Sequence, residues 1–442
     1  MQHRMRRCDA MTDAAMPMAP GPTQLTRPDA VDTVAQAATL LFVNGQTTER
    51  TVIAAERFGR ALGVSLTLHP RWGELELRVD GTPYSAIAPA APLGVNMTKA
   101  LATMKIVDQV CEGALSGVAA RSALEAVGHM GTVSTLRFAL FAAVGAASMG
   151  VIYGVLDTAS LLLIAFSAGM GGLLRRWLAT LGGNPFIQPL CAAAVAGAIG
   201  AIATRLRLPD TQLFIALCPC MVLVPGPHIL NGAFDLAHAR VALGIERLTY
   251  AGLIVLMICA GLLMALAVCG ATLPAAAMSA RVPLVVDVIA AGCAVAAYGT
   301  VFSIPWRLLA LPIVVGMLAH AAHWAVISLA GADIAVGTLV ACTLVGVMAT
   351  PVADRLRLPF AAVAFCAVVS MMPGFFLFRV ANARVELVAS GGPAPVDLVS
   401  SVAANGATAF LTIAAMSFGL IVPRMLSDYF RTPSARQGAD HA

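Results

Sequence analysis

The sequence predicts a mainly α-helical polytopic membrane protein, with about ten transmembrane helices in a 5+5 inverted repeat. A small α+β cytoplasmic domain is predicted in front of these helices. Of the 442 residues, 59% are apolar and only 12% are charged, against about 45–50% and about 25% in soluble globular proteins. Residues 1–135 hold 24 of the 51 charged side chains, so only this first segment can be water-soluble. The apolar remainder contains a repeated motif, which predicts the two halves.

The first 28 residues predict a disordered N-terminal tail. The start, Met1 to Arg7, is basic, but it is not followed by the apolar run of about 7–15 residues that a secretory signal peptide requires. Residues 9–28 are rich in Ala, Met, Pro and Thr. We therefore expect the segment after the tail to stay in the cytoplasm. The net charge is only +5 and is not clustered, which argues against a nucleic-acid partner.

In residues 29–134, the spacing of the hydrophobic residues changes from helical to alternating and back, and this pattern predicts the α+β domain. Two segments with helical spacing precede two short segments that alternate with period two, and two more helical segments follow. Asn44 and Gly45 end the first helix, and Thr47 or Thr48 caps the second. The predicted helices are 32–43, 48–62, 97–112 and 116–127, and the predicted strands are 64–69 and 74–79.

Candidate chemistry in this domain is limited to His69, which ends a predicted strand near Glu74 and Glu76. A hydrolytic site is one interpretation, and a hairpin with a solvated polar face is the other. The glycines of the segment lack the spacing of a nucleotide-binding loop. The sequence therefore favours a regulatory or structural domain.

The membrane part is predicted from Leu136 onward by apolar runs of about 20 residues, the length of a spanning helix. Residues 135–271 form the predicted first half and residues 282–422 the second, and 423–442 form a cytoplasmic C-terminal tail. The predicted spans are 136–156, 158–174, 187–204, 212–231 and 248–270 in the first half, and 282–304, 308–328, 334–352, 359–378 and 401–422 in the second.

An internal repeat supports these two halves. The string Arg205-Leu-Arg-Leu-Pro209 recurs 150 residues later as Arg355-Leu-Arg-Leu-Pro359, and each copy is followed by a Pro-Gly pair, Pro225-Gly226 and Pro373-Gly374. Because each half has an odd number of spans, the second half begins inverted relative to the first. Inverted repeats of this kind are typical of secondary transporters.

Arginine positions predict the orientation in the plasma (inner) membrane. The positive-inside rule places Lys and Arg preferentially in cytoplasmic loops. With both termini cytoplasmic, ten arginines fall on the inner side and five on the outer side. The inner set is Arg175, Arg176, Arg240, Arg247, Arg307, Arg355, Arg357, Arg424, Arg431 and Arg436, and the outer set is Arg205, Arg207, Arg281, Arg379 and Arg384.

The two Pro-Gly pairs predict a substrate site. Proline and glycine interrupt a helix and free backbone groups, which transporters use to bind substrate near the middle of the membrane. The alternative is a kink that serves packing alone. The predicted substrate-binding residues are Pro225, Gly226, His228 and Asn231 in the first half, and Pro373, Gly374, Arg379 and Asn382 in the second.

Ionisable side chains inside apolar spans are candidates for proton coupling, because burying them in lipid is costly. These are Asp287 near the start of the sixth span, and His320 and His323 on one face of the seventh. A capping or interfacial carboxylate, and a packing role for the histidines, are the alternatives. Asp235 and His238 are expected in an exposed loop after the fourth span.

Cysteine usage predicts no metal site and no cofactor. Eight of the ten cysteines lie in apolar stretches, where cysteine packs as a small hydrophobic residue. Cys218 and Cys220 form the one close pair, and partners at metal-ligand spacing are missing nearby.

Several strings resemble the threonine/serine exporter family. Leu223-Val224-Pro225-Gly226 is similar to its Val-Pro-Gly signature, and Met372-Pro373-Gly374 resembles the Pro-Gly of its C-terminal half. The stretch Gly45–Gly63 and the hairpin string Trp72-Gly73-Glu74-Leu75 are similar to its soluble domain. The resemblance covers about residues 30–422. It implies a non-enzymatic exporter of L-threonine and L-serine, driven by the proton gradient as an antiporter.

Two other functions stay open. Split-chain members of the family resemble exporters of succinate, and a dicarboxylate would require a second fixed cation, for which Arg379, with Arg384 as backup, is the candidate. A membrane-bound enzyme or sensor would use residues 29–134 as its working part. The expected partners are the small substrate, protons and the lipid bilayer, and a homo-oligomer is compatible with the sequence.

Overall fold

The computed structural model describes residues 25–182, 184–206, 212–271, 282–355, 360–389 and 395–431. Most of the predicted N-terminal tail, most of the loop between the halves and the last residues of the C-terminal tail lie outside this part of the chain. Two groups of elements are described below, residues 25–128, which we call the N-terminal unit, and the helices from residue 135 onward, which we call the membrane part.

The N-terminal unit contains four helices and a three-stranded antiparallel sheet in the order β1-β2-β3. Its helices lie close to their predicted bounds, except that the first begins earlier, at Arg27. Side chains cap the third and fourth helices, where Asn96 accepts from the Lys99 amide and Ser116 accepts from the Ala119 amide, whereas the Thr47 side chain makes no capping hydrogen bond at the start of the second. The elements are α1 (Arg27–Val43), α2 (Thr48–Ala61), β1 (Leu66–Arg71), β2 (Gly73–Val79), β3 (Ser85–Ala90), α3 (Met97–Cys111) and α4 (Gly117–Gly128).

The third strand was not predicted from the sequence. It reads Ser-Ala-Ile-Ala-Pro-Ala, and alanine and proline are both uncommon in strands. It lies at the edge of the sheet, where Pro89 pairs in register with Glu74 of β2, and an edge is the position in which a strand tolerates proline. Apolar side chains of β1 and β2, such as Leu68 and Leu77, are buried with α1 and α2 in a core belonging to this unit.

The membrane part is helical throughout. Among the described residues, eight helices are long and apolar enough to span a bilayer, and α8 and α9, which are bent by 57° at a short break, meet the same criteria as a pair. The helices are α5 (Thr135–Ile152), α6 (Thr158–Thr180), α7 (Ile187–Arg205), α8 (Gln212–Met221), α9 (Gly226–Ala237), α10 (Val241–Val268), α11 (Leu284–Val301), α12 (Trp306–Ser328), α13 (Ile334–Arg355), α14 (Phe360–Ala367), α15 (Gly374–Ala389) and α16 (Val396–Arg431).

Two predicted spans are not continuous helices: the one at 212–231 is divided between α8 and α9, and the second is in the other half. The prediction placed a span at 359–378, but there α14 ends at Ala367, a 3₁₀ turn covers Val369–Met371, and α15 begins at Gly374. Proline has no backbone N–H to donate to a preceding turn, so a helix cannot continue regularly through Pro373, and α15 begins at the next residue. The last helix, α16, is longer than its prediction of 401–422 and includes part of the predicted tail.

Helix contacts follow the same scheme in both halves of the membrane part. In the first half, α5 packs on α6, α6 on α7, α7 on α10 and α9 on α10. In the second half, α11 packs on α12, α12 on α13, α13 on α16 and α15 on α16. Contacts between the halves are paired in the same way, because α8 contacts α15 while α9 contacts α14.

The N-terminal unit sits on one end of the membrane helices, which we call the docked face. The amide of Met97 donates to the Phe302 carbonyl at 2.9 Å, just after α11 ends. Arg50 pairs with Asp354 at the end of α13 at 2.6 Å, and the Trp72 ring lies 5.1 Å from the Tyr250 ring near the start of α10. The start of α10 and the ends of α11 and α13 therefore lie together. We call the opposite end the far face.

Candidate functional site

The two Pro-Gly breaks meet in the interior of the membrane part. A methyl group added at Gly226 would lie 2.6 Å from the Cε atom of Met372, and one added at Gly374 would lie 3.4 Å from a Cγ atom of Val224. Gly226 is the first residue of α9, and Gly374 is the first residue of α15. The structure thus brings the predicted breaks together, with the N-terminal ends of two half-helices beside one another.

Little space remains between the breaks in this conformation. A cavity of about 10 Å³ lies there, bordered by Gly226, Pro227, Tyr298, Met372 and Gly374. A single water needs about that much space, so an amino acid does not fit. The breaks are therefore closed against each other, and substrate binding here requires a movement that separates Gly226 from Met372.

His228 and Asn231 lie one helical turn apart on α9 and are both buried. The His228 ring packs edge-on against Tyr250, with ring centroids 5.1 Å apart. Neither His228 Nδ1 nor Asn231 Oδ1 has a hydrogen-bond partner in the described part of the chain. Buried polar atoms are almost always paired, so these two atoms are suited to bind a polar solute.

Arg379 and Asn382, the candidates on the second half-helix, have partners within α15. The Arg379 guanidinium lies 5.5 Å from the centroid of the Phe375 ring, the residue next to Gly374. The Asn382 amide donates to Glu386 at 2.8 Å. Of the eight predicted substrate residues, the structure therefore brings together those of the two Pro-Gly breaks. Arg379 lies near the second break, whereas the Asn382 amide is hydrogen-bonded to Glu386.

The three predicted proton-coupling residues form one cluster. His320 Nε2 lies 3.1 Å from Asp287 Oδ2, and both side chains are more than nine-tenths buried. The His320 and His323 rings are stacked with centroids 5.6 Å apart, and His323 Nε2 lies 3.4 Å from the Thr338 hydroxyl. Asp287 is thus paired inside the membrane part rather than exposed at its surface.

Ser370, which the sequence analysis did not single out, joins this cluster to the second break. Its hydroxyl lies 3.2 Å from His320 Nδ1, and it belongs to the 3₁₀ turn immediately before Pro373. A polar residue inside the apolar run Val368–Met372 was the available signal. Ser370 therefore connects the hydrogen bonding of His320 directly to the turn that precedes the second break.

A large cavity opens beside the cluster, and we call it the outer cavity. Its volume is about 560 Å³, within the usual range of about 300–1,000 Å³ for ligand pockets. Thr412 also borders it, and the Oγ1 atom of this buried residue has no partner in the described part of the chain. The polar residues of its wall include Asp287, His320, His323, Ser328, Ser370 and Thr412, and Pro373 of the second break also borders the cavity.

The comparison with known families matches the chain in two segments. A family described as "Putative threonine/serine exporter" matches residues 32–269, and one described as "Threonine/Serine exporter, ThrE" matches residues 287–426. The chain belongs to the threonine/serine exporter family. The first match ends just after α10 and the second begins within α11, so the boundary between them falls between the two halves. No curated protein and no solved structure gives a significant match to the chain.

His69, the candidate for a hydrolytic site, is an exposed residue of the sheet in this exporter-family protein. His69 lies opposite Glu76 in the β1–β2 register. Glu74 and Glu76 each lie 3.6 Å from Arg71. Among the described residues, no three His, Cys, Asp or Glu side chains are placed to hold a metal ion.

The expectation that Asp235 lies in an exposed loop was wrong. α9 continues to Ala237, and Asp235 is only 1% exposed. Arg247 Nε lies 2.9 Å from Asp235 Oδ2, and the Thr48 hydroxyl of the N-terminal unit donates to the same oxygen at 3.0 Å. The sequence prediction failed because it ended the helix at Asn231, one turn before Asp235.

His238, also expected in a loop, is half-buried and joins the membrane part to the N-terminal unit. His238 Nε2 lies 3.2 Å from Glu49 Oε2. The hydrogen bond to Glu49 raises the pKa of His238, and the hydrogen bond to His238 lowers the pKa of Glu49. These two side chains, with Arg50, Arg240 and Arg424, border a cavity of about 200 Å³ between α2, α9 and α16.

We expect the stability of this exporter-family protein to fall as the pH rises above the ordinary His238 pKa of 6.5. The pair requires protonated His238, so its contribution is complete below 6.5 and is lost as the pH rises through the raised pKa. The lowered Glu49 pKa keeps this contribution intact down to at least pH 4.5. Since both side chains are partly exposed, the pair contributes about 0.2–1 kcal/mol.

Thermal unfolding of the detergent-solubilised protein at a series of pH values measures this effect. His238→Gln should flatten the decline above pH 6.5, whereas His129→Gln, which changes an exposed histidine at the end of α4, should keep it. An unchanged decline in His238→Gln would contradict the assignment to this pair.

Proposed function

We propose that this protein is a secondary transporter that exports L-threonine and L-serine from the cytoplasm in exchange for protons. Membership of the exporter family supports the direction and the substrate class. The observation that carries the proposal is the contact between the two Pro-Gly breaks beside the buried Asp287–His320 pair. It joins the interruption of the two helices to a pair of side chains that can take up protons.

The inverted repeat is part of the proposal. Its support is the contact scheme, in which the four main helix pairs of the first half, named above, each have an equivalent in the second. The Arg205 side chain donates to the Cys269 carbonyl at the end of α10, and α10, with 28 residues, is about 42 Å long. Because α10 starts at the docked face, its end and the bound Arg205 lie at the far face. Arg355 lies at the docked face, because it follows Asp354, which pairs with Arg50 of the N-terminal unit. Equivalent residues on opposite faces are what inversion requires.

The substrate is bound between the half-helix ends at Gly226 and Gly374. The N-terminal end of a helix carries unpaired amides and a partial positive charge, which favour a carboxylate. Both α9 and α15 begin at the breaks, so two such ends are aimed at the same place. The unpartnered atoms of His228 and Asn231 are available for the ammonium or hydroxyl group of serine or threonine.

Proton coupling runs through the outer cavity. A proton that enters this cavity reaches His320 and Asp287, which share one hydrogen-bonded contact of 3.1 Å. Protonation changes the charge of the pair and the hydrogen bond between His320 and Ser370, which lies two residues before Met372. Met372 in turn covers Gly226. The proton thereby controls whether the breaks are closed.

The N-terminal unit and both termini lie on the cytoplasmic side of the plasma membrane in this proposal. The arginines of the docked face support it, in agreement with the positive-inside rule. Arg247 and Arg424 belong to that face, where they pair with Asp235 and Asp354. The outer cavity then opens away from the cytoplasm, which is the release side for an exporter.

Efflux from proteoliposomes tests the proposal. Vesicles loaded with labelled L-serine or L-threonine should release them faster when the medium opposite the N-terminal unit is acidic, and an uncoupler should remove the acceleration. A panel containing succinate tests the second candidate, a dicarboxylate exporter, which the guanidinium of Arg379 beside the second break favours. Release of serine and threonine at the rate of protein-free vesicles would refute the proposal.

A further inference from the structure

The outer cavity has a closed counterpart in the first half of the membrane part. The outer cavity is bordered by the start of α11, the last turns of α12, the start of α13 and the residues before the second Pro-Gly. A second cavity is bordered by the start of α5, the later turns of α6, the start of α7 and the residues before the first Pro-Gly. This inner cavity measures about 10 Å³, against about 560 Å³ for the outer one.

Equivalent positions line the two cavities. Pro225 and Pro373 are 148 residues apart, and so are Arg175, which borders the inner cavity, and His323, which borders the outer one. Each cavity therefore contains a side chain that can carry positive charge at the same place in its half. The inner cavity extends from the first break toward the docked face, because Arg176, next to Arg175, donates to the carbonyl of Val133 before α5 begins.

Two polar groups in the inner cavity have unmet hydrogen-bonding capacity. Ser167 is 1% exposed, and its hydroxyl has no partner in the described part of the chain. Within the same residues, the buried Nε atom of the partly buried Arg175 has no partner either, and the guanidinium lies 5.8 Å from the centroid of the Phe138 ring. A buried charged N–H without a hydrogen-bond acceptor is costly, and an anionic group of a ligand would remove that cost.

We propose that Ser167 and Arg175 form the site that first binds the substrate from the docked face, and that this site is closed in the present conformation. The inference rests on the proposed transport function. Arg175 binds the substrate carboxylate through two parallel N–H donors, and Ser167 hydrogen-bonds a polar group of the same small molecule. When the two halves exchange conformations, the inner cavity opens and the outer cavity closes.

The packing of α6 explains how the inner cavity is closed. A methyl group added at Gly172 would lie 3.3 Å from the Cα atom of Ala139 on α5, and one added at Gly171 would lie 3.4 Å from the Cβ atom of Ala192 on α7. α6 therefore touches both neighbours almost backbone to backbone. Opening requires α6 to move away from α5 and α7, and the small residues leave a smooth surface for that movement.

The first test compares transport from the two sides in Arg175→Gln. Loss of a charged hydrogen bond to the substrate weakens binding about tenfold or more, so KM measured from the docked face should rise by about that factor while KM from the far face stays close to that of the wild type. Arg307→Gln, which removes an exposed arginine at the docked end of α12, is the matched control. Equal KM changes from both sides in Arg175→Gln would overturn the assignment.

The second test needs no transported substrate and so separates this inference from the proposed function. A membrane-impermeant maleimide should modify Ser167→Cys from the docked face only, as measured on the peptide that contains residue 167. Thr412→Cys, in the outer cavity, should be modified from the far face only. Modification of Ser167→Cys from the far face, or its complete absence, would overturn the inner site. If both cysteines react as expected but serine and threonine do not move, the proposed substrate is wrong and the inner passage stands.

Discussion

Asp287→Asn is expected to abolish the pH-driven component of efflux completely. Asparagine keeps the shape of aspartate and can still hydrogen-bond His320, which lies 3.1 Å from the carboxylate. It has no carboxylate that can bind a proton, so the buried pair loses that group. The measurement is serine and threonine release from proteoliposomes with and without a pH gradient.

Exchange across the membrane separates a coupling defect from a folding defect. If Asp287 carries the proton and does not bind the substrate, Asp287→Asn should still exchange labelled for unlabelled serine when no gradient is present. Asp333→Asn, which changes an exposed carboxylate at the start of α13 on the same face, should behave like the wild type in both assays. A normal response to the pH gradient in Asp287→Asn would remove Asp287 from the mechanism.

The parts of this site that were predictable are those with a local signal. Pro225-Gly226 and Pro373-Gly374 interrupt apolar runs, and the chemistry of proline and glycine is sufficient to predict breaks there. The helices that begin at these glycines follow from the same residues. The meeting of the two breaks could be expected only from the repeat, because their spacing along the chain contains no information about distance in space.

The pairs that were missed depend on how separate helices pack. Asp287 and His320 were each predicted as candidates, but their contact depends on the crossing of α11 and α12, and Ser370 approaches His320 only because the 3₁₀ turn places it there. Asp235 was misplaced because an apolar pattern that ends at Asn231 does not reveal that the helix continues. The contact of Asp235 with Thr48 joins residues far apart in sequence, which no local pattern predicts.

The number of continuous spans differed for a related reason. Ten apolar segments were predicted, whereas eight uninterrupted helices and one bent pair in the described part of the chain meet the length and composition of a span. Hydropathy measures only the apolar length of a segment, and it does not register that a proline divides the segment into two helices at an angle. The segments that departed from a continuous helix are therefore the ones that form the proposed site.

The largest loss of stability is expected from Arg247→Met. Arg247 and Asp235 are 1% and 2% exposed and lie 2.9 Å apart, and the guanidinium also lies 4.8 Å from the Phe42 ring of the N-terminal unit. Removing one member of a buried ion pair leaves an uncompensated charge, which costs about 3–5 kcal/mol. The variant should unfold at a clearly lower temperature than the wild type in detergent, as followed by tryptophan fluorescence.

The double variant Arg247→Met/Asp235→Leu decides whether the loss comes from the unpaired carboxylate. Replacing both charges by apolar side chains of similar volume removes the desolvation cost of each, so most of the lost stability should return, apart from the unpaired hydroxyl of Thr48. Arg240→Met is the matched control, since Arg240 is 28% exposed and lies 3.9 Å from Asp235, and such a pair contributes about 0–1 kcal/mol. If the double variant is no more stable than Arg247→Met, the loss stems from the packing of Arg247 on Phe42 rather than from its charge.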